Sequence, residues 1–117
     1  MKYLCLVRVD EEKLAALPES ESKALDEESL AYDDVLKNSG HLLAAQALEP
    51  VATAKALQMQ NGKLLITDGP FAEAREQIGG FILMEAKDMN EAVELAQKIP
   101  VIRFGAIEVR AVRELVR

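Results

Sequence analysis

Cysteine, histidine and tryptophan are nearly missing from this 117-residue chain, which has one cysteine, one histidine and no tryptophan. Cys5 alone cannot form a disulfide within the chain, and a thiol in an apolar run is usually an inert core residue. One histidine and one cysteine are also too few for the usual zinc-ligand sets. The sequence therefore predicts neither a disulfide framework nor a metal centre.

Two common catalytic and cofactor motifs are missing as well. Gly79-Gly80 does not match a phosphate-binding glycine loop, and no G-x-S-x-G nucleophile motif occurs. We therefore expect no cofactor and no covalent serine chemistry.

Long apolar runs and an excess of basic residues are also lacking. No stretch approaches the roughly 20 apolar residues of a membrane span, and the opening MKYLCLVRVD is too short for a secretion signal. We expect a cytoplasmic protein with no membrane partner. The net charge is −6, from 20 acidic and 14 basic residues. An acidic surface repels phosphate backbones, so no direct nucleic-acid partner is expected. The arginines near the end indicate a solvated surface or subunit contacts.

Alternating strand and helix patterns fill the rest of the chain, whose length suits one domain with one core. The first half has a strand at 2–9, a short helical turn at 11–17, a helix at 22–38 and a strand at 41–48. A hairpin at 54–66 then turns at Asn61-Gly62. The second half has a strand at 81–84, a helix that starts at Asp88 and a strand at 106–112. We predict a single α+β domain over residues 1–117. Its two β-α-β units and added hairpin give a ferredoxin-like antiparallel sheet with both helices on one face.

Two predicted strands, at 2–9 and 81–84, are apolar on both faces. Helices on one face leave the other face bare, and a bare apolar face needs cover. A second copy packed sheet to sheet about a two-fold axis supplies that cover, so we expect a homodimer. The alternative is that long side chains and the hairpin cover this face.

The most distinctive segment is 67–81, TDGPFAEAREQIGGF, which we name the signature segment. Asp68, Gly69 and Pro70 are turn-forming residues that present Phe71. A turn that only redirects the chain needs the same residues. His41, at a strand end, forms a candidate catalytic pair with Asp68, because an aspartate that holds one imidazole nitrogen frees the other for proton transfer. A lone histidine also fits a plain surface role, and the sequence does not show whether the two residues meet.

The signature segment resembles that of the DGPF proteins, a branch of the YCII-related superfamily. The stretches MKYLCLVRVD, SGHLLAAQALEP and RFGAIEVRAV also stand where that family has similar ones. The resemblance implies a dimeric α+β barrel, like muconolactone isomerase in fold, and a histidine–aspartate pair beside a cleft. Asp68 matches the signature aspartate, whereas the family's histidine tends to lie on the first helix, where this chain has none. A related member is linked to chloride removal from a hydroxylated aromatic, and some DGPF domains accompany sigma factors.

We therefore expect an uncharacterised YCII-related small-ligand-binding domain, and its activity stays open. As an enzyme it would carry out proton-transfer chemistry, as an isomerase, lyase or dehydrohalogenase, on a small hydrophobic or aromatic molecule. His41 would be the acid or base and Asp68 would orient it. The alternatives are a non-catalytic regulatory or binding module associated with transcription, and a structural dimer without a ligand. The expected ligand-contacting residues are Tyr32, Phe71, Arg75, Arg103 and Phe104.

Overall fold

Strands and helices alternate along the chain in the computed structural model, which describes residues 1–72 and 74–117. The strands are β1 (Lys2–Val9), β2 (Leu42–Ala47), β3 (Lys55–Gln60), β4 (Lys63–Asp68), β5 (Gln77–Glu85) and β6 (Gly105–Ala111). The helices are α1 (Glu11–Ala15), α2 (Glu19–Asn38) and α3 (Met89–Ala96), with 3₁₀ turns at Val51–Thr53 and Pro100–Phe104.

Four of the strands form one antiparallel sheet in the order β2-β5-β1-β6, and β3 pairs with β4 in a separate two-stranded sheet. The two β-α-β units thus interleave, with β1 and β5 in the centre. The predicted α+β, ferredoxin-like arrangement with an added hairpin is confirmed. No helix in the described ranges is both long and apolar enough to cross a bilayer.

The core lies between the sheet and its two longer helices. On β1, Tyr3, Cys5, Val7 and Val9 are buried, while Leu4 and Leu6, on the opposite face, are half-buried. Leu36 of α2 and Met84 of β5 are fully buried with Cys5, so sheet and helix side chains interdigitate. Burial raises the pKa of the Cys5 thiol to about 11. Cys5 is therefore an inert core residue at neutral pH, as predicted.

Nearby side chains and a glycine determine where α3 begins and where α2 ends. Asp88 Oδ1 accepts from the Glu91 backbone N–H at 2.9 Å, and Glu91 Oε1 accepts from the Lys87 N–H at 3.0 Å. These reciprocal bonds confirm the capping-box-like start of α3. Gly40, with φ +81°, follows α2 in the left-handed conformation that commonly ends a helix, next to the predicted end at 38.

The start of α2 differs from the prediction. The helix begins at Glu19, three residues before the predicted Ser22. The Pro18 carbonyl accepts from the N–H groups of Glu21 and Ser22, at 3.0 and 2.9 Å. A proline before the first turn sets up the helix without a side-chain cap, so neither Ser20 nor Ser22 caps it.

The start of β5 also differs from the prediction. The strand begins at Gln77, and Gly79-Gly80 lie inside it instead of preceding it. Val7 pairs with Gly80 and Arg8 with Ile78, so Gly79 is the extra residue of a β-bulge. A Cβ on Gly79 would stand 2.5 Å from Cγ2 of Val9. Glycine is therefore needed where β5 passes the end of β1, and the bulge bends the strand there.

Gly105, on the other side of Val9, gives a stability test. A Cβ at this position would overlap the carbonyl oxygen of Arg8, and backbone cannot move aside as a side chain can. We expect Gly105→Ala to lower the free energy of unfolding by about 2–3 kcal/mol in urea titrations. Ala106→Ser, at the exposed next position, should stay within about 0.5 kcal/mol of the parent. Equal stability of Gly105→Ala and the parent would contradict the close approach.

Candidate ligand-binding site

Three segments converge where β1 ends. Val9, the last residue of β1, pairs with Gln77 of β5 on one side and with Gly105 of β6 on the other. The signature segment leads into β5, and the 3₁₀ turn Pro100–Phe104 leads into β6. Strand pairing therefore brings Arg75 and Phe104, which precede Gln77 and Gly105, beside Asp10.

Asp10 is the one buried charged residue of the part of the chain described, with 5 % of its surface exposed. Its Oδ1 accepts from the Lys13 backbone N–H at 3.2 Å and its Oδ2 accepts from Arg75 Nε at 3.1 Å. Its own N–H donates to the Phe104 carbonyl at 3.0 Å. The Arg75 hydrogen bond, followed by the one from the Lys13 N–H, holds the pKa of this carboxyl below its ordinary value. Asp10 is therefore an anion at neutral pH and ties the three segments together.

Arg75 is fixed at one end and open at the other. Only its Nε meets Asp10, and the side chain is 81 % exposed. Within residues 1–72 and 74–117, its two terminal nitrogens have no hydrogen-bond partner. A guanidinium held in this way presents a planar pair of donors that matches a carboxylate or a similar anion.

A groove of about 200 Å³ opens between α2 and the turn before β6. Arg103 and Phe104 line one side of it; the other lining residues are Leu17, Glu21, Ala24, Leu25 and Glu28. Arg103 Nη1 donates to Glu28 Oε2 at 3.0 Å, and its guanidinium carbon lies 5.8 Å from the centre of the Phe104 ring. Ligand pockets usually start at about 300 Å³, so this groove is smaller than most of them.

A second groove, of about 270 Å³, lies between α3 and β6. Its lining is apolar apart from Gln97; the other residues are Met89, Val93, Ala96, Ile102, Ile107 and Val109. It offers no charged group to orient a ligand, and we do not assign it to the site.

Asp68 and Phe71 lie in the signature segment on exposed surface. The Asp68 side chain is 82 % exposed and forms an ion pair with Lys55 across the hairpin. Gly69, with φ +88°, donates its N–H to the Ala54 carbonyl at 2.8 Å. The predicted turn is thus present, but Asp68 meets a lysine instead of backbone N–H groups. Phe71 is 73 % exposed, and Glu73 of the same segment lies outside the described residues.

His41 stands at the other end of the sheet. Its Nδ1 lies 2.7 Å from the carbonyl oxygen of Glu85, which pairs with Lys2 at the start of β1. A carbonyl only accepts, so Nδ1 carries the proton, and a neutral His41 has its lone pair on Nε2. Glu91 Oε1 is 3.9 Å from Nδ1. The length of β1, roughly 25 Å for its eight residues, separates His41 from the Asp10 end of the sheet.

His41 and Asp68 therefore do not form a pair within one chain. Each has its own partner, Glu85 for His41 and Lys55 for Asp68, and no hydrogen bond joins the two residues in the ranges that the structure describes. The catalytic role predicted for each residue stays a prediction.

Tyr32 has a structural contact. Its hydroxyl donates to the Leu95 carbonyl at 2.6 Å and so links α2 to α3. Of the five ligand-contacting residues predicted from sequence, Arg103 and Phe104 thus share a groove. Arg75 binds Asp10, whose N–H donates to the Phe104 carbonyl. Phe71 belongs to the same segment as Arg75, whereas Tyr32 lies between the helices.

Sequence reasoning missed Asp10, which it assigned to an acidic connection. The signal was present, since an aspartate directly after a buried strand and before a short helix is a typical N-cap. Nothing in the sequence indicated that Arg75 binds it. Among the described residues, no cluster of three or more metal-ligating side chains was found.

Comparison with known proteins agrees with this fold. A family model for the YCII-related domain matches residues 1–116. An uncharacterised protein of Rhizobium meliloti (strain 1021) is 29 % identical over 99 residues, which cover 85 % of this chain and 80 % of that protein. The structure of 5-chloro-2-hydroxyhydroquinone dehydrochlorinase (TftG) from Burkholderia phenoliruptrix AC1100, in complex with 2,5-dihydroxybenzoquinone, is similar with a TM-score of 0.54 and 18 % identity. That similarity covers 97 % of this chain and 94 % of the dehydrochlorinase. The chain belongs to the YCII-related domain family.

Proposed function

We propose that this domain binds a small aromatic anion beside Asp10. One observation carries the proposal: the exposed Arg75 is held through Nε by a buried carboxylate, and its outer donors have no protein partner among residues 1–72 and 74–117. A fixed guanidinium loses little further freedom when it binds an anion.

The groove lined by Arg103 and Phe104 supports an aromatic ligand; the Phe104 carbonyl accepts from the N–H of Asp10, the partner of Arg75. Phe104 gives the groove an aromatic side, and Arg103 adds a second positive charge that is partly balanced by Glu28. A flat ring can stack on Phe104 while its oxygen atoms face the arginines. The volume of about 200 Å³ limits the ligand to a single ring or one of similar size.

The dehydrochlorinase of similar fold supports the same ligand class and provides a probe. Its structure holds 2,5-dihydroxybenzoquinone. A hydroxyl conjugated to a quinone carbonyl is as acidic as a carboxylic acid, so this molecule is anionic near neutral pH. It combines a flat ring with charged oxygens, which are the two features that the Phe104 groove and Arg75 would recognise.

Arg75 gives the direct test of binding. We expect 2,5-dihydroxybenzoquinone to bind the parent in calorimetric titrations and Arg75→Gln to bind it roughly 10- to 100-fold more weakly, because charge-assisted hydrogen bonds contribute about 1.5–3 kcal/mol. Arg75→Lys should recover only part of the affinity, since lysine lacks the planar pair of donors. Arg113→Gln, in the exposed tail, is the charge-matched control. Equal binding by Arg75→Gln and the parent would make the proposal wrong.

Asp10 gives a pH test of the same site. Its lowered pKa means that it stabilises the folded state above the unfolded value of about 3.9, and that this stabilisation is lost as the pH falls through the lower folded value. Asp10→Asn should therefore be less stable than the parent at pH 7, and the difference should shrink towards pH 3. Thermal unfolding of both proteins across this range measures it. A difference that does not change with pH would exclude the ionised Asp10–Arg75 pair as its source.

A second candidate function is proton transfer by His41. The observation that favours it is the Nδ1–H bond to the Glu85 carbonyl, which fixes the tautomer and leaves Nε2 as the base. A base of this kind could remove a proton from a ring hydroxyl or carbon as chloride leaves. We propose this chemistry for a ligand bound near His41, at the end of the sheet away from Asp10.

His41→Gln tests this candidate. If His41 is the base, chloride release from 5-chloro-2-hydroxyhydroquinone should fall by about 100-fold or more, with circular dichroism and melting temperature unchanged. Unchanged turnover in the variant would remove His41 from the chemistry. If the parent binds the quinone and releases no chloride, a regulatory or binding module, the alternative expected from the sequence, becomes the better description.

A further inference from the structure

The hairpin Lys55–Asp68, which we name the arm, has one apolar face without cover. The register pairs Leu57 with Ile66 and Met59 with Leu64, so these four side chains share a face. They are 54, 61, 69 and 55 % exposed, respectively. Gln58 and Thr67 belong to the opposite face, which is the more polar one. An alternation of this kind is typical of a strand pair with one face packed on a partner.

The arm is held to the rest of its own chain at its base, where Ala56 is buried. It forms a separate two-stranded sheet, tied at its base where the Gly69 N–H donates to the Ala54 carbonyl at 2.8 Å. An isolated two-stranded hairpin is at best marginally stable in water. The chain measures 48 × 47 × 18 Å, and its radius of gyration of 16.1 Å exceeds the roughly 13 Å of a compact domain of this length. The shape is that of a flat body with a projecting part.

The same chain carries a second uncovered apolar surface, the open face of the four-stranded sheet. Leu4, Leu6, Phe81 and Leu83 point to this face, opposite the helices, and each remains half-buried to half-exposed. The exposure of the arm's four apolar residues shows that the arm does not cover this face within one chain. The sequence suggested two ways to cover this face: a second copy, or the hairpin and long side chains of the same chain. Because the hairpin does not cover it, a second copy is the remaining explanation for the centre of the sheet.

We propose that the chain pairs with itself and that the arm of each copy packs its Leu57–Ile66 face on the open sheet face of the other. A two-fold axis makes both contacts at once and leaves neither apolar surface bare. Sheet-to-sheet pairing was expected from the sequence; the exchange of arms between copies is what the structure adds.

The charge distribution favours this contact over others. The four apolar residues of the arm are flanked by charges only at its base, Lys55 and Asp68, and at its tip, Lys63. On the open sheet face, Arg8, Glu108 and Arg110 all lie towards β6. Lys2 and Glu85 face each other at the start of β1. Between this pair and the charges towards β6, the β5 and β2 side carries the uncharged residues Phe81, Leu83, Ala44 and Gln46. Two copies of net charge −6 repel at long range, so they should meet through uncharged surface.

The arm contacts supply most of the area that a stable dimer needs. A fully exposed Leu, Ile or Met side chain offers roughly 100 Å² of apolar surface. Since the arm's four are 54 to 69 % exposed, together they offer on the order of 250 Å². Each arm contact buries a similar area on the partner, and two contacts bury about 1,000 Å². Specific interfaces begin at about 1,200 Å² in total. Contact between the two sheets beside the arms supplies the remainder.

Two matched double variants test the arm face. Leu57→Lys with Ile66→Glu replaces one directly opposed pair on the apolar face, and Gln58→Lys with Leu65→Glu replaces the next pair on the other face. Both keep the net charge and add a favourable cross-strand charge pair, so the hairpin itself is preserved. In sedimentation equilibrium we expect a dimeric parent, a dimer dissociation constant at least tenfold higher for the first variant, and little change for the second.

Cross-linking identifies what the arm touches. Copies with Met59→Cys are mixed with copies carrying Ala44→Cys or Gln46→Cys, and a short bismaleimide is added; the buried Cys5 thiol does not compete. We expect linked pairs that contain one copy of each kind, and none when Gln58→Cys replaces Met59→Cys. A monomeric parent would overturn both the pairing and the arm exchange. A dimer that the Leu57/Ile66 variant leaves intact, or that gives no mixed cross-link, would overturn the arm exchange alone. Quinone binding by Arg75 is measured separately and does not depend on either result.

Discussion

The central position of β1 is the constraint on which the rest of this structure depends. Because β5 and β6 both pair with it in antiparallel register, the segments that enter these two strands must meet where β1 ends. Asp10 follows directly, and its carboxylate and backbone N–H join the signature segment, the start of α1 and the turn before β6. Chain topology, rather than proximity in sequence, thus brings together residues 10, 75 and 104.

The two glycines beside Val9 allow these three segments to approach one another closely. Gly79 and Gly105 lie on either side of it, and a side chain on either would collide with Val9 or with the Arg8 carbonyl. The bulge at Gly79 bends β5 just after the signature segment enters it. Close approach of three backbones is therefore the physical condition under which Arg75 can reach a carboxylate that is almost out of solvent.

Local chemistry in the sequence was sufficient for most of the fold. The apolar residues on both alternating faces of 2–9 predicted β1, and the Asn61-Gly62 turn predicted the hairpin. The Asp88–Glu91 spacing is that of a helix start and agrees with the start of α3. One error falls where tertiary contacts outweigh a local signal, and the other where a different local signal acts upstream. Gly79-Gly80 has the composition of a turn, yet the pairing of β5 with β1 and β2 keeps both residues in a strand. Ser20 and Ser22 have the composition of caps, yet Pro18 already starts α2 upstream of them.

The site was harder to predict from the sequence than the fold was, because its residues are far apart along the chain. Arg75, Arg103 and Phe104 could be chosen by residue type, but Asp10, which binds Arg75 and the Phe104 carbonyl, could not be, since only strand register shows that these residues meet. The same register places His41 at the far end of β1, so the two chemically most suggestive residues, His41 and Asp68, are not neighbours within a chain. The hairpin that carries Asp68 is also the element with the largest uncovered apolar face. If that hairpin contacts a second copy, Asp68, at the base of the arm, lies at the margin of the interface, and its role is then set by the partner as well as by Lys55.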